Sequence, residues 1–449
     1  MMLANDGHDV TVLERDPTPP PPSDTAWDEW DRRGVNQFRM LHFFLAKFRA
    51  VADTELPGLT DAMVAAGALK MNPLNGIPVE MTGGWREGDD RFDTVTARRP
   101  VAESVVAAMG AATPGVTIRR GVGVAGVLTG RATDGIVHVT GVRTDDGEEI
   151  PADLVVDAGG RRSAMPTWLR EAGSPGPDEM IEDCGFVYYG RHFRSADGSI
   201  PPAFGGFLQP CGSVSVLTLP ADNGTWGVGV ITSSKDAALR SLSETDCWDR
   251  VVHSFPLVAH WIDAEPITDV KVMAKIEDRQ RSYIVGGKPV ATGVVALADA
   301  WACTNPSLGR GISIGITHAA ALRSTLRDVT FDDPRALALR WNDVTNEQVE
   351  PMFADTLAFD RHRLAEIEAA IVGRPYETDD PGWLLGTALE SAITKDPDLL
   401  RGFMDIVSLI DRGVNVLSRP GVAERALALA DPTPLPGPNR AELLTLVGA

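Results

Sequence analysis

The chain has 449 residues, with 42 Lys plus Arg against 62 Asp plus Glu and a formal net charge of −20. A surface this acidic repels phosphate backbones and anionic lipid, which argues against nucleic-acid and membrane-surface partners. No run reaches the ~18 consecutive apolar residues of a membrane span, and no basic segment followed by an apolar core marks a secretory signal. The four cysteines, Cys184, Cys211, Cys247 and Cys303, lack C-x-x-C spacing, and the eight histidines lack any H-x-x-x-H pair. The expectation is a cytoplasmic protein with reduced thiols and no metal centre.

Along the chain, Val10, Val12 and Leu13 read as a short buried strand ending on Glu14, and "DPTPPPP" (16–22) follows as a stiff non-helical spacer. Residues 36–66 carry apolar side chains at helical spacing, broken by Pro57-Gly58, and "RRPVAESVVAAMGAA" (98–112) is a further helix with Pro100 in its first turn. Strands are expected over 116–128 and 135–160, with a turn at Asp145-Asp146-Gly147, and Leu154-Val155-Val156 is apolar enough for a strand buried on both faces. Between about 185 and 285 the pattern alternates as in an antiparallel sheet, with "ADNGT" (221–225) as a hairpin loop. Buried α/β character returns at "GVVALADA" (293–300), and the last hundred residues are helix-patterned with Pro and Gly breaks.

Three separated segments end an apolar strand in an acidic or Gly-rich turn: Glu14, "LVVDAGGRRSAMPTWL" (154–169) and "VVALADAWACTNPSLGRGISIGITHAAAL" (294–322). The third says most. Its strand ends in Asp299, and Pro306, Gly309 and Gly311 shape a loop that runs into an apolar helix near Ile312. Cβ-free residues at a helix start leave amide groups open to a negatively charged ligand.

In this order, an acid-ended strand, an Arg-led helix near 99, a D-A-G-G turn and an Asp followed by P-x-x-G-x-G resemble the flavoprotein monooxygenases of the para-hydroxybenzoate hydroxylase type. The resemblance spans roughly residues 3–330. It implies an α/β fold: a Rossmann-like FAD-binding domain in two parts (1–180 and 286–335), an inserted antiparallel β-sheet substrate domain (181–285) and a helical C-terminal region (336–449). It implies FAD as cofactor, NADH or NADPH as co-substrate, and hydroxylation or epoxidation of a small apolar organic substrate with O₂, through a flavin C4a-hydroperoxide. Glu14 and Arg15 would serve the adenosine ribose, Arg98 or Arg99 the phosphate region, and Gly159 and Gly160 the pyrophosphate side. Asp299 would bond the ribityl chain, and Pro306, Gly309, Gly311 and Ile312 would face the flavin ring. Gln37, His42, Tyr188, Arg191 and Trp226 are the substrate-side candidates.

A dinucleotide-binding unit carries a strand and a G-x-G-x-x-G turn ~20 residues before its acid, whereas only thirteen residues precede Glu14 here. The resemblance therefore implies a first domain truncated at its N-terminus and weakened in FAD binding. Gly159 stands where the family often has an aspartate, and Ala298-Asp299 replaces a Gly-Asp turn. The alternatives are a flavin-dependent halogenase or isoprenoid double-bond reductase, or a non-catalytic remnant that binds a hydrophobic ligand. "WDEW" (27–30) lacks the context of the halogenase W-x-W-x-I-P segment.

Overall fold

A computed structural model of the chain describes every residue except 33, 36, 132–134, 330 and 432. The first part runs β1 (Val10–Glu14), α1 (Ala46–Glu55), α2 (Leu59–Ala65), α3 (Arg99–Ala112), β2 (Val116–Arg120), β3 (Val124–Thr129), β4 (Val137–Thr144) and β5 (Val155–Asp157). The second holds an antiparallel sheet of β6 (Phe186–Arg194), β7 (Leu208–Cys211), β8 (Val214–Pro220) and β9 (Thr225–Ser233), with helix α4 (Thr245–His253) after it. The chain then returns through β10 (Val294–Ala296) into α5 (Gly311–Asp328), and ends in helices of which α6 (Pro334–Gln348), α7 (Glu350–Ile371), α8 (Pro381–Ala392) and α9 (Pro397–Val407) are the longest.

The parallel strands form two separate pairs. β1 lies beside β2 in register from Val10↔Val116 to Glu14↔Arg120, and β5 lies beside β10 from Val155↔Val294 to Asp157↔Ala296. Among the described residues no strand joins the pairs, and both open on one large cavity. This corrects two expectations of full burial. Val12 is 41% exposed, and Leu154, Val155 and Val156 are half-buried, because each pair leaves one edge and part of one face against the cavity.

The helix expected over 36–66 also starts later, at Ala46, and residues 37–45 are irregular. The cause lies in the sheet. Gly190 and Gly229 face each other across β6 and β9, and Gly227 opposes His192. Leu41 seats its side chain against this smooth patch: a Cβ on Gly227 would come within 2.5 Å of Leu41 Cγ, and one on Gly190 within 2.6 Å of its Cδ1. Packing across the sheet thus overrides local helical spacing. The break at Pro57-Gly58 is where α1 gives way to α2, with Gly58 at φ +87° just ahead of Leu59.

Strand alternation sends successive side chains to opposite faces. Phe186, Tyr188, Leu217, Leu219 and Ile231 face one core, whereas Val187, Tyr189, Phe193, Trp226 and Val228 pack on Trp248, Val251 and Val252 of α4. The sheet meets the first part through a buried ion pair, Arg98 with Asp222 in the loop between β8 and β9, Nη2 to Oδ2 at 2.6 Å. In the C-terminal region α6, α8 and α9 each begin at an Asp-Pro pair. The Asp side chain (333, 380 or 396) accepts from a first-turn amide, and Pro occupies a position with no amide to satisfy.

Candidate functional site

The cavity has a volume of about 4350 Å³, well above the ~300–1,000 Å³ of an ordinary small-ligand pocket and large enough for an extended cofactor together with a second molecule. Glu14, Arg15, Arg99, Gly159, Gly160, Asp299, Pro306, Gly309, Gly311 and Ile312 all line it, as do Gln37, His42 and Tyr188 on the sheet side. Arg98, Arg191 and Trp226 do not reach it. Arg98 turns away to Asp222. Arg191 is held by Asp249 at 2.5 Å, and Trp226 donates its Nε1–H to the Trp261 carbonyl at 2.7 Å, both from the sheet face covered by α4. Sequence alternation separates these faces but does not say which one meets the cavity.

At one end Glu14 is engaged by the protein itself. Its Oε2 accepts from Arg32 Nη2 at 2.6 Å and its Oε1 from the Asp16 amide at 2.9 Å, while Arg32 also pairs with Glu103 at 2.7 Å and Arg99 with the same Glu103. In the D-A-G-G turn, Asp157 folds inward, accepting from the Gly159 amide at 2.9 Å and the Ser163 hydroxyl at 2.6 Å. Gly160 then takes φ +72°. Partner groups close at hand therefore already occupy these two acids.

Asp299 is different. It sits in the turn after β10, makes no side-chain hydrogen bond or ion pair among the described residues, lines the cavity, and is pushed above the usual carboxylate range by burial. Ala298 before it adopts φ +50°, a left-handed conformation that favours glycine, and its amide donates to His318 Nδ1 at 3.1 Å. His318 in turn meets the Thr345 hydroxyl through Nε2 at 3.1 Å, and burial pushes it down to about 3, so it stays neutral. A strained backbone braced by a buried histidine fixes Asp299 toward the open space.

Across from Asp299, the Gly309 amide closes a turn onto the Pro306 carbonyl at 2.9 Å, with Gly309 at φ +64°. No side chain caps α5. A Cβ built on Gly311 would meet nothing within 4 Å. The open first turn of an 18-residue helix and an unpartnered carboxylate therefore line the same open space. An isoalloxazine with a ribityl chain fits this pair of features: a polyol hydroxyl for Asp299, and a polar ring edge for helix amides that favour negative charge. The adenosine end fits less well, since Arg32 holds Glu14 and the described residues offer no Gly-rich turn between the two strand pairs.

Behind the loop lies a network that the sequence reading did not pick out. Asp360 on α7 accepts from Asn305 Nδ2 at 3.0 Å and Ser307 Oγ at 2.6 Å, both on Oδ1, and Tyr188 OH donates to Asn305 Oδ1 at 2.6 Å. Asp360 Oδ2 is buried without a partner, and burial raises the carboxyl to about 7. Because its folded-state pKa lies above the unfolded value, its contribution to stability is present at low pH and lost as pH rises from about 4 toward 7. Replacing Asp360 by Asn keeps the Oδ1 acceptor and removes the proton. We expect D360N to match the parent in urea midpoint near pH 3.5 and to exceed it by a growing margin up to pH 8; equal midpoints at pH 8 would mean that ionising Asp360 does not cost the fold stability.

On the sheet side, His42 Nδ1 meets the Met40 carbonyl at 3.0 Å. Burial, reinforced by the Arg99 charge, pushes the ring down to about 4, so it is neutral near pH 7. Tyr188 is buried and raised well above the usual phenol range, first by burial and then by the neighbouring Asp360. Neutral polar groups on an apolar wall can orient a substrate without charging the chamber.

No protein-family model matches the chain. Protein Rv3254 of Mycobacterium tuberculosis is 28% identical over 440 residues, covering 93% of this chain and 88% of that protein. Among solved structures, PqsL of Pseudomonas aeruginosa, described as a probable FAD-dependent monooxygenase, superposes with a TM-score of 0.57 at 16% identity over 82% of this chain and 94% of that one. The flavin-dependent halogenase CmlS superposes with a TM-score of 0.56 at 16% identity, over 91% and 74%. The chain therefore has the fold of the FAD-binding hydroxylases, a fold that flavin halogenases share.

Proposed function

We propose that this chain is an FAD-dependent oxidoreductase of the group A flavoprotein hydroxylase type, and a monooxygenase acting on a small apolar organic molecule. The observation that carries the reading is that Asp299, partnerless among the described residues, lines the same cavity as the uncapped, Cβ-free start of α5, with room for more than one molecule. The fold supports it by likeness.

In this reading Asp299 accepts a ribityl hydroxyl, and the Gly309–Ile312 backbone offers amides to the pyrimidine edge. Arg99, and Glu14 once Arg32 yields it, serve the adenosine side. FAD, when bound, supplies electron transfer between a reduced nicotinamide, O₂ and substrate. The chain's own task is to hold the substrate against the ring and keep water away. The apolar face of β6, β8 and β9 and the Leu41-anchored segment form the wall for this, with Gln37, His42 and Tyr188 as its polar points.

The test is a flavin titration of the 449-residue chain, followed by NADH- and NADPH-dependent oxygen uptake with apolar candidate substrates. Saturable but weak flavin binding, at one flavin per chain, and substrate-stimulated O₂ consumption are expected. Absence of any flavin binding would overturn the reading; nicotinamide oxidation coupled to double-bond reduction without O₂ uptake would replace the monooxygenase by the reductase. Halide-dependent product would favour the halogenase, the fold of CmlS being the one finding on its side.

A further inference from the structure

The same cavity continues between two helices of the C-terminal region. α7 presents Phe359, Arg363, Glu366 and Ala370 to it, and α8 presents Trp383, Thr387, Glu390 and Thr394 from its face and end. Each set is spaced four, three and four residues apart, the repeat of one helix face. The helices meet where Phe359 and Trp383 bring their ring centroids to 5.7 Å.

Glu390 stands out in this cleft. Among the described residues it makes no hydrogen bond and no ion pair, and it is half-buried, with part of its surface open to the cavity. The cation nearest to it is occupied elsewhere: Arg363 donates Nη1 to Glu366 at 2.8 Å, Nε to Ser215 Oγ at 3.0 Å and Nη2 to the Val214 carbonyl at 2.7 Å. Burial raises the Glu390 carboxyl to about 7, with the Arg363 charge pulling the other way and the Glu366 charge adding to the rise. A carboxylate partly withdrawn from water and left without a partner is costly. A ligand that brings hydrogen-bond donors and positive charge would remove that cost, and the aromatic lining of Trp383, Tyr376 and Phe359 suits a cation as well, through the negative faces of the rings.

We propose that Glu390 is a substrate-recognition residue, and that the cavity's ligand is an apolar molecule carrying a protonated amine, seated with the amine in the α7–α8 cleft. This rests on the reading of the cavity as a substrate chamber.

The probes are decylamine, 1-decanol and decanoic acid, compared by calorimetry on the full chain at pH 7.5, with E390Q alongside. The parent is expected to bind the amine at least ~10-fold more tightly than either other probe, about 1.4 kcal/mol, and E390Q to lose that preference while keeping its affinity for the alcohol. Equal affinities for amine and alcohol in the parent, or an amine preference that survives in E390Q, would overturn the proposal. A flavin titration of both proteins separates the two readings. Parent and E390Q binding flavin alike, with no amine preference, would sink this inference alone; absence of flavin binding in both, with the amine preference intact, would sink the flavoenzyme reading and leave this one standing.

Discussion

Replacing Asp222 by Ala is expected to cost ~3–5 kcal/mol of stability, the usual penalty for stranding one member of a buried ion pair. Asp222 is fully buried and Arg98 is 6% exposed. The carboxylate takes the Arg98 amide on Oδ1 at 2.6 Å and the Arg98 guanidinium on Oδ2 at 2.6 Å, while the guanidinium lies over the Trp27 ring at 4.4 Å. Without Asp222 a positive charge remains in a site with no other anion bonded to it, and one of its nitrogens, Nη1, already lacks a partner. With a urea m-value of ~2–3 kcal/mol/M the midpoint should fall by about 1–2 M. The pair itself contributes far less than its rupture costs, because desolvating both charges offsets most of their attraction. The double variant R98M/D222L is therefore expected to recover most of the loss. A D222A midpoint within 0.3 M of the parent (roughly 1 kcal/mol by the same m-value) would show that the contact between α3 and the β8–β9 loop does not depend on this pair.

That contact also explains what could be read in advance. The ends of β1 and β5 are legible because each is local, a short apolar run and then an acid or glycine that cannot continue it, whereas β10 stops at Ala296, three residues before the Asp299 at which its apolar run predicts an end. The D-P starts of α6, α8 and α9 are legible for the same reason. What escapes is set by partners distant in the chain. Leu41 is drawn out of helical spacing by three glycines some 150 residues and more away, and Glu14 is claimed by Arg32. Asp360 sits in mid-helix with nothing in its neighbourhood to mark it, although Asn305, Ser307 and Arg310 crowd the very loop the sequence singled out. The exposure of Val12 and the half-burial of Val155 are likewise invisible locally, since their apolar runs match those of a strand flanked on both sides.

Replacing Gly311 by Leu is expected to leave the fold intact and to weaken flavin binding at least ~100-fold, about 2.7 kcal/mol. The two halves of this expectation come from one fact, the open space around the glycine. A new Cβ there meets no atom within 4 Å, and the residue begins a helix at an ordinary backbone angle. Leucine removes glycine's excess freedom in the unfolded chain and favours the helix, so the urea midpoint should hold or rise. The same side chain projects into the volume in which a planar ring must approach the first amides of α5, and that approach is what only a Cβ-free residue permits. Asp299→Asn provides the graded companion: it keeps an acceptor, loses the charge, and should cost flavin binding no more than about tenfold, the scale of a charge-assisted hydrogen bond reduced to a neutral one. Titration of FAD against tryptophan fluorescence, run beside urea melts of each variant, separates the effects. If G311L binds flavin as the parent does, the start of α5 is no cradle for the ring, and the open ground before Asp299 belongs to some other ligand.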